Sequence, residues 1–241
     1  MGGSSTLSHI GEGVFKGCTS LKSISLSSES ELYKNVTSDG YTMLVSKDDG
    51  TVVLVPPAYP LAEAESITVG AGKTAIGAQA YADNLSLAGK AVIIADGVKS
   101  IGAGAFENVG MVSVTIPASV TDIDERAFAG CTDLQSVLFL NTMTEIPAQM
   151  FEGCTSLRSV QLPDETESIG NSAFAGSGLT SFTVGKNVKT ISAYAFEGCA
   201  DLAALSFAED GAISEIGDSA FENCVSLAEI SLADTVSVLG F

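Results

Sequence analysis

Apolar positions recur along this chain at fixed spacings that neither a single helix nor a single strand explains. Isoleucine stands five residues before an aromatic at Ile10/Phe15, Ile76/Tyr81, Ile101/Phe106, Ile123/Phe128, Ile146/Phe151, Ile169/Phe174, Ile191/Phe196 and Ile216/Phe221. Five or six residues after most of these aromatics comes a Leu-x-x-φ-x-φ run, as in Leu134/Val137/Phe139, Leu157/Val160/Leu162 and Leu202/Leu205/Phe207. The same run predicts strands at Leu21/Ile24/Leu26, Met111/Val114/Ile116, Leu179/Phe182/Val184 and Leu227/Ile230/Leu232. Alternation over so short a length describes a strand with one buried face. The Gly-x-x-Ala-Phe segment between isoleucine and the next strand has room for a turn or two of helix. Each unit therefore reads as one coil of a solenoid: strand, turn, short helical segment, turn, next strand.

The markers return every 22 to 25 residues from Tyr81 onward. About five buried side chains per coil contribute on the order of 10 kcal/mol, whereas ordering some 22 residues costs about 20 to 40 kcal/mol. A lone coil would not fold, so copies must stack. The interval from Phe15 to Tyr81 breaks the period. There, Tyr41 to Val45 and Thr51 to Val55 flank Lys47-Asp48-Asp49-Gly50, an Asp-Gly hairpin signal, and Pro56-Pro57 ends the second run. Residues 30–65 read as a β-hairpin inserted into one solenoid domain spanning 1–241, of about nine coils.

The pattern Val-x-x-Ile-Gly-x-x-Ala-Phe-x-x-Cys-x-x-Leu-x-x-Val-x-Leu-Pro, met by Val98 to Pro117 and Val120 to Leu140, resembles the BspA-type leucine-rich repeat of bacterial surface proteins. The departures are Val109 and Ser177 for cysteine and Tyr81 for phenylalanine. The resemblance implies an α/β-type repeat solenoid, a right-handed superhelix with one parallel strand per coil. It also implies a secreted or cell-surface module that binds a host or bacterial surface protein or a glycan, or else a spacer repeat within a larger surface protein. Met1-Gly-Gly-Ser-Ser has no signal-peptide character, so an extracellular or surface location requires a leader outside this sequence.

Composition narrows the partners. The formal charge is −18, from 29 acidic and 11 basic residues, and the basic residues are scattered. Nucleic acid and anionic lipid are repelled, and no apolar run reaches the ~18 residues of a membrane span. The open ends of a solenoid are surfaces through which copies can associate.

Cys18, Cys131, Cys154, Cys199 and Cys224 each follow an aromatic by three residues, so one repeated position accounts for all of them. In adjacent coils, about 5 Å apart, their Cβ vectors run side by side and disfavour a disulfide. They read as buried free thiols acting as small hydrophobes. With His9 the only histidine and no C-x-x-C, zinc lacks ligands. No calcium loop occurs.

Gly70-Ala-Gly-Lys-Thr74 resembles the end of a phosphate-binding loop, but Ile67 stands where its first glycine belongs. Carboxylate pairs such as Asp122/Asp124, Asp164/Glu165 and Glu209/Asp210 fall in turns, where they are solvated or cap the next segment. No base accompanies the many hydroxyls. The chain reads as a non-enzyme without a cofactor or metal.

What remains is surface. Between the buried strand positions lie Ser113/Thr115, Ser136/Leu138, Ser159/Gln161 and Ser181/Thr183, a ladder of small side chains on the exposed sheet face. Such residues suit a soluble strand, and the least generic among them, Gln135, Leu138, Arg158 and Gln161, mark the candidate binding platform. Tyr41 in the hairpin is the alternative.

Overall fold

In the computed structural model, residues 7–26, 30–38, 41–58, 64–232 and 234–241 are described. The chain winds as a solenoid with two strand-bearing faces and one face of turns. Long strands Ser66–Val69, Ala91–Ile94, Ser113–Ile116 and Ser136–Phe139 form one parallel sheet, and Ser181–Val184 pairs with Ala204–Phe207 beyond it. Their register aligns Ile67, Val92, Val114 and Val137 inward, and Thr68, Ile93, Thr115 and Leu138 outward. The isoleucines lie on two-residue strands of the second face, where Ile76 pairs with Ile101 and Ile101 with Ile123. Ile146, Ile169, Ile191, Ile216 and Leu239 pair in a second parallel series.

The third face corrects the sequence reading. Short helical turns are expected there, yet among the described residues the one helical segment is a 3-10 turn at Leu85–Leu87, capped by Asn84. Two residues in each coil adopt a left-handed backbone, one two positions before the aromatic and one two positions after it. Arg126 and Gly130 bracket Phe128 with φ of 59° and 70°; Gln149 and Gly153 bracket Phe151 with 56° and 71°. A left-handed residue at every fourth position cannot continue an α-helix.

The amides instead alternate between two partners. Phe106, Phe128, Phe151, Phe174 and Phe196 donate to a carbonyl of the following coil, over 2.8 to 3.1 Å, while residues between them close local turns. A third hydrogen-bonded ladder thus replaces the helix and satisfies the buried backbone.

This ladder holds the aromatics in register. Tyr81, Phe106, Phe128, Phe151, Phe174, Phe196 and Phe221 form one column with centroids 5.1 to 5.8 Å apart and rings nearly parallel, within the range for offset stacking. The recurring isoleucines and leucines pack around it in one continuous core that runs from Met43 to Cys224.

The interruption near the N-terminus is larger than a hairpin. Strand β1 (Tyr33–Ser38) pairs antiparallel with β2 (Tyr41–Ser46), and β2 with β3 (Val52–Leu54) across a bulge. Val52 of β3 pairs in parallel with Ile76, so the insert joins the solenoid sheet by taking the place of an isoleucine strand. Asp49 Oδ1 accepts from the Thr51 amide at 2.9 Å, and this bond lowers the Asp49 pKa. Residues 39, 40 and 59–63 of the predicted insert lie outside the described residues.

Four of the five cysteines are buried and free; Cys18, read as buried, is instead exposed on the N-terminal coil. The buried thiols also act as donors. Cys131, Cys154, Cys199 and Cys224 each donate from Sγ to the carbonyl of the aromatic one coil earlier, over 3.1 to 3.3 Å. Burial pushes the Cys131 thiol up to about 12 and raises Cys154 as well. A thiol-specific reagent at neutral pH is therefore expected to modify Cys18 alone in the native protein and all five in denaturant. Rapid native labelling of a second cysteine would contradict this packing.

Candidate recognition surface

Solenoid sheets are continuous when every coil can donate to its neighbour, and one coil here cannot. After each isoleucine the next amide donates to the preceding coil, as Gly102 to Ile76, Asp124 to Ile101, Gly170 to Ile146 and Ser192 to Ile169, at 2.8 to 2.9 Å. Pro147 follows Ile146 and has no N–H to give to Ile123. The isoleucine face accordingly divides between Asp122–Ile123 and Glu145–Ile146. A 600 Å³ cleft lined by Ile123, Asp124, Glu145 and Pro147 opens at the division.

On the long-strand face the same coil departs again. Residues 159–162, predicted as a strand, pair with neither Ser136–Phe139 nor Ser181–Val184 among the described residues, and the strands predicted at 21–26 and 227–232, near the two ends of the stack, do not form either. Pro163 ends this run, but it does not explain the lapse, because Pro117 follows Ser113–Ile116 in the same way and that strand is paired on both sides. The turn face remains closed, because Phe151 stacks on Phe128 and Phe174 and donates to Ala173. The coil is pinned on its aromatic side and loosened on its strand sides. Clefts of 430 and 510 Å³ flank residues 159–162, and Gln161 lines both.

The predicted site residues fall around these clefts with different roles. Leu138, 53% exposed, and Gln161 are brought together in the first cleft, with Leu140, 55% exposed, beside them. Gln135 is exposed at the start of the Ser136–Phe139 strand and lines neither cleft. Arg158 is exposed but engaged: its Nη1 donates to Gly178 O at 3.0 Å and to Asp201 Oδ2 at 2.6 Å, tying three coils together. Tyr41 begins β2, at the opposite end of the coil order, and its side chain lies outside the described residues. Thr183 and Ser206 share a hydroxyl hydrogen bond of 3.0 Å, so part of the hydroxyl ladder satisfies itself.

Sequence reasoning missed Leu140 and Asn141, which share the first cleft. The one signal in the sequence was Pro147, which stands where the other coils supply a donating amide.

The turn face carries a second polar assembly. Glu107 is buried and receives Lys16 Nζ at 2.6 Å and Arg126 Nη2 at 2.8 Å, while Arg126 Nη1 reaches Glu152 at 2.9 Å. Burial opposes the charge on Glu107, but the bonds from Lys16 and Arg126 outweigh it and lower its pKa. This chain of ions ties four coils together, Lys16 reaching past the coil of Tyr81 to Glu107. The Gly70 to Thr74 segment is a turn between two strands, with Lys73 N donating to Gly70 O, and no helix follows it. Among the described residues no group of three or more His, Cys, Asp or Glu converges to hold a metal. Within the same residues no helix is long and apolar enough to cross a membrane.

A sequence model of the BspA-type leucine-rich repeat region, in six copies, matches residues 3–38, 59–177 and 127–241. The chain belongs to the BspA-type leucine-rich repeat family. Its fold is shared with other bacterial leucine-rich repeat proteins of known structure. One from Eubacterium ventriosum is 24% identical with a TM-score of 0.78, covering 94% of this chain. This chain spans 58% of that protein's length. A leucine-rich repeat protein of T. pallidum is 22% identical, with a TM-score of 0.62 over 83% of this chain and 89% of its own. A leucine-rich cell surface protein of Faecalibacterium prausnitzii is 22% identical, with a TM-score of 0.50 over 86% and 72%. No curated protein matches the sequence. As a BspA-type repeat the chain is an interaction or repeat module by family, and its own surface must supply any specificity.

Proposed function

We propose that this protein is a non-enzymatic recognition module, displayed at a bacterial surface or secreted, which binds a protein or glycan through the long-strand face around Leu138, Arg158 and Gln161. The observation that carries this reading is that two clefts meet at the unpaired residues 159–162 beside exposed Leu138 and Leu140. The other long-strand positions present mainly small hydroxylated side chains. Arg158 serves the platform as a support, because its guanidinium is held by Asp201 and Gly178. The family, and a structural neighbour described as a cell surface protein, support the surface location. With no tryptophan in the chain, the interface lacks a usual hot-spot residue, and several weak contacts would act together.

The test is a binding screen of the intact chain on immobilised extracellular-matrix proteins and glycans. Any captured ligand should lose at least about tenfold in affinity, about 1.4 kcal/mol, when Leu138→Asp and Gln161→Ala are combined. Undiminished binding by that folded variant would move the site to another face.

A further inference from the structure

The cleft between the Ser136–Phe139 strand and residues 161–165 has a definite chemistry. Leu138, Leu140 and Pro163 give it an apolar wall, Asp164 and Glu165 bring two carboxylates, and Asn141 forms part of its inner side. Asn141 is only 5% exposed. Its Nδ2 donates to Val120 O at 3.2 Å, but its Oδ1 is the one buried side-chain atom without a hydrogen-bond partner among the described residues. A buried acceptor left unpaired costs about 1 to 3 kcal/mol, a cost that a donor would relieve once the cleft opens enough to uncover that oxygen.

The carboxylates are equally unspent. Neither Asp164 nor Glu165 takes part in an ion pair among the described residues, whereas Arg158 is committed to Asp201 and Lys189 to Glu167. Lys186 shares the adjoining cleft with Asp164 without pairing to it. The formal charge of −18 favours the approach of cations over the whole molecule. Metal ions do not fit the donors, because two carboxylates and an amide fall short of the oxygen cage a hard cation takes.

We propose that this cleft binds lysine or arginine side chains of a basic peptide segment, which names the partner chemistry of the surface above and rests on that reading. The aliphatic stem lies along Leu140 and Pro163, as long basic side chains do on apolar surface. The charged head donates to Asp164 and Glu165 and, as the cleft opens around it, to the unpaired Oδ1 of Asn141.

The test is fluorescence anisotropy of the intact chain with a labelled lysine- and arginine-rich peptide, and with a matched peptide carrying glutamine at each basic position. The basic peptide binds and the glutamine peptide does not. Asp164→Asn with Glu165→Gln weakens binding about tenfold, the effect of unpairing a charge at an interface. The same charge change at Glu209→Gln with Asp210→Asn, on another coil, weakens it less than about twofold, as distant screened charges do. Asn141→Ala also weakens binding, with thermal melting run alongside to show that the variant is folded.

Equal losses from the two double variants would reduce the effect to general attraction and overturn the proposal, as would equal binding of the glutamine peptide. If the basic peptide fails while Leu138→Asp with Gln161→Ala still abolishes capture on the matrix and glycan screen, the peptide chemistry falls and the surface stands. If that variant also leaves capture unchanged, both fall.

Discussion

Replacing Phe151 by alanine is expected to lower the unfolding free energy by about 3 to 5 kcal/mol, the range for removing a buried phenylalanine. Phe151 is fully buried at the middle of the ring column, 5.8 Å from Phe128 and 5.5 Å from Phe174, with the edge of Phe139 at 6.3 Å. Its surroundings make the loss severe. Strand pairing has already lapsed around this coil at Pro147 and at residues 159–162, so the turn face carries the connection between the two halves of the stack. In a repeat array, stability is roughly a sum of intrinsic and nearest-neighbour interface contributions. Weakening this interface should therefore also split a single unfolding transition into two. Urea denaturation followed by circular dichroism would show both effects. A loss below about 1 kcal/mol with one intact transition would mean that the ring column does not join the halves.

A single added methyl group at Gly178 should be the second most damaging change, although nothing large is removed. In most coils the residue at the cysteine position is followed three residues later by leucine, as Cys131 by Leu134 and Cys154 by Leu157. From Ser177 to Leu179 the distance is two. The shortened turn draws Gly178 against the previous coil, where its amide donates to Cys154 O at 3.1 Å and a Cβ would run into the Thr155 carbonyl. Backbone cannot rotate aside as a side chain can. Gly178→Ala should cost about 1 to 3 kcal/mol, as overpacking does. It should also disturb Arg158, whose Nη1 bonds to Gly178 O. Gly185→Ala is the control: its nearest neighbour would be Val188 Cγ2 at 3.8 Å, and its effect should stay within about 0.5 kcal/mol. Similar midpoints for the two variants in denaturant would refute the steric account.

These two positions also show what could be read from the chain and what could not. The aromatic column was legible, because isoleucine, aromatic and leucine each recur at one spacing and spacing fixes which side chains share a core. So were the buried free thiols, at four of the five cysteines that share one repeated position; Cys18, in the N-terminal coil, is exposed. The turn face was legible in part: glycine or asparagine two residues past the aromatic, as at Gly130, Gly153, Gly198 and Asn223, marks a left-handed position. The left-handed residues before the aromatic include Gln79, Arg126, Gln149, Ser172 and Tyr194, and no common side chain announces that conformation. It is imposed by hydrogen bonds to the next coil, which a local propensity argument does not see. The strand β1 was hidden for a similar reason, as its pairing with β2 depends on tertiary contact more than on alternation.

The candidate surface was legible in outline. Leu138 and Gln161 stand out among serines and threonines, and the structure places them in one cleft. Arg158 also stood out, but its charge is used to tie coils together, a role that depends on Asp201 lying two coils away. Asn141 gave no signal, since an unpaired oxygen is a property of its surroundings and not of its residue type.

The coil of Phe151 is held shut at its aromatic turn and open at its long strand, and native-state hydrogen exchange reads both at once. The amides of Phe128, Phe151 and Phe174, which donate across coils, should exchange only with global unfolding, while those of Ser159, Val160, Gln161 and Leu162 should exchange by local exposure. Protection at 159–162 equal to that at Ser181–Val184, or rapid exchange of the phenylalanine amides, would contradict it.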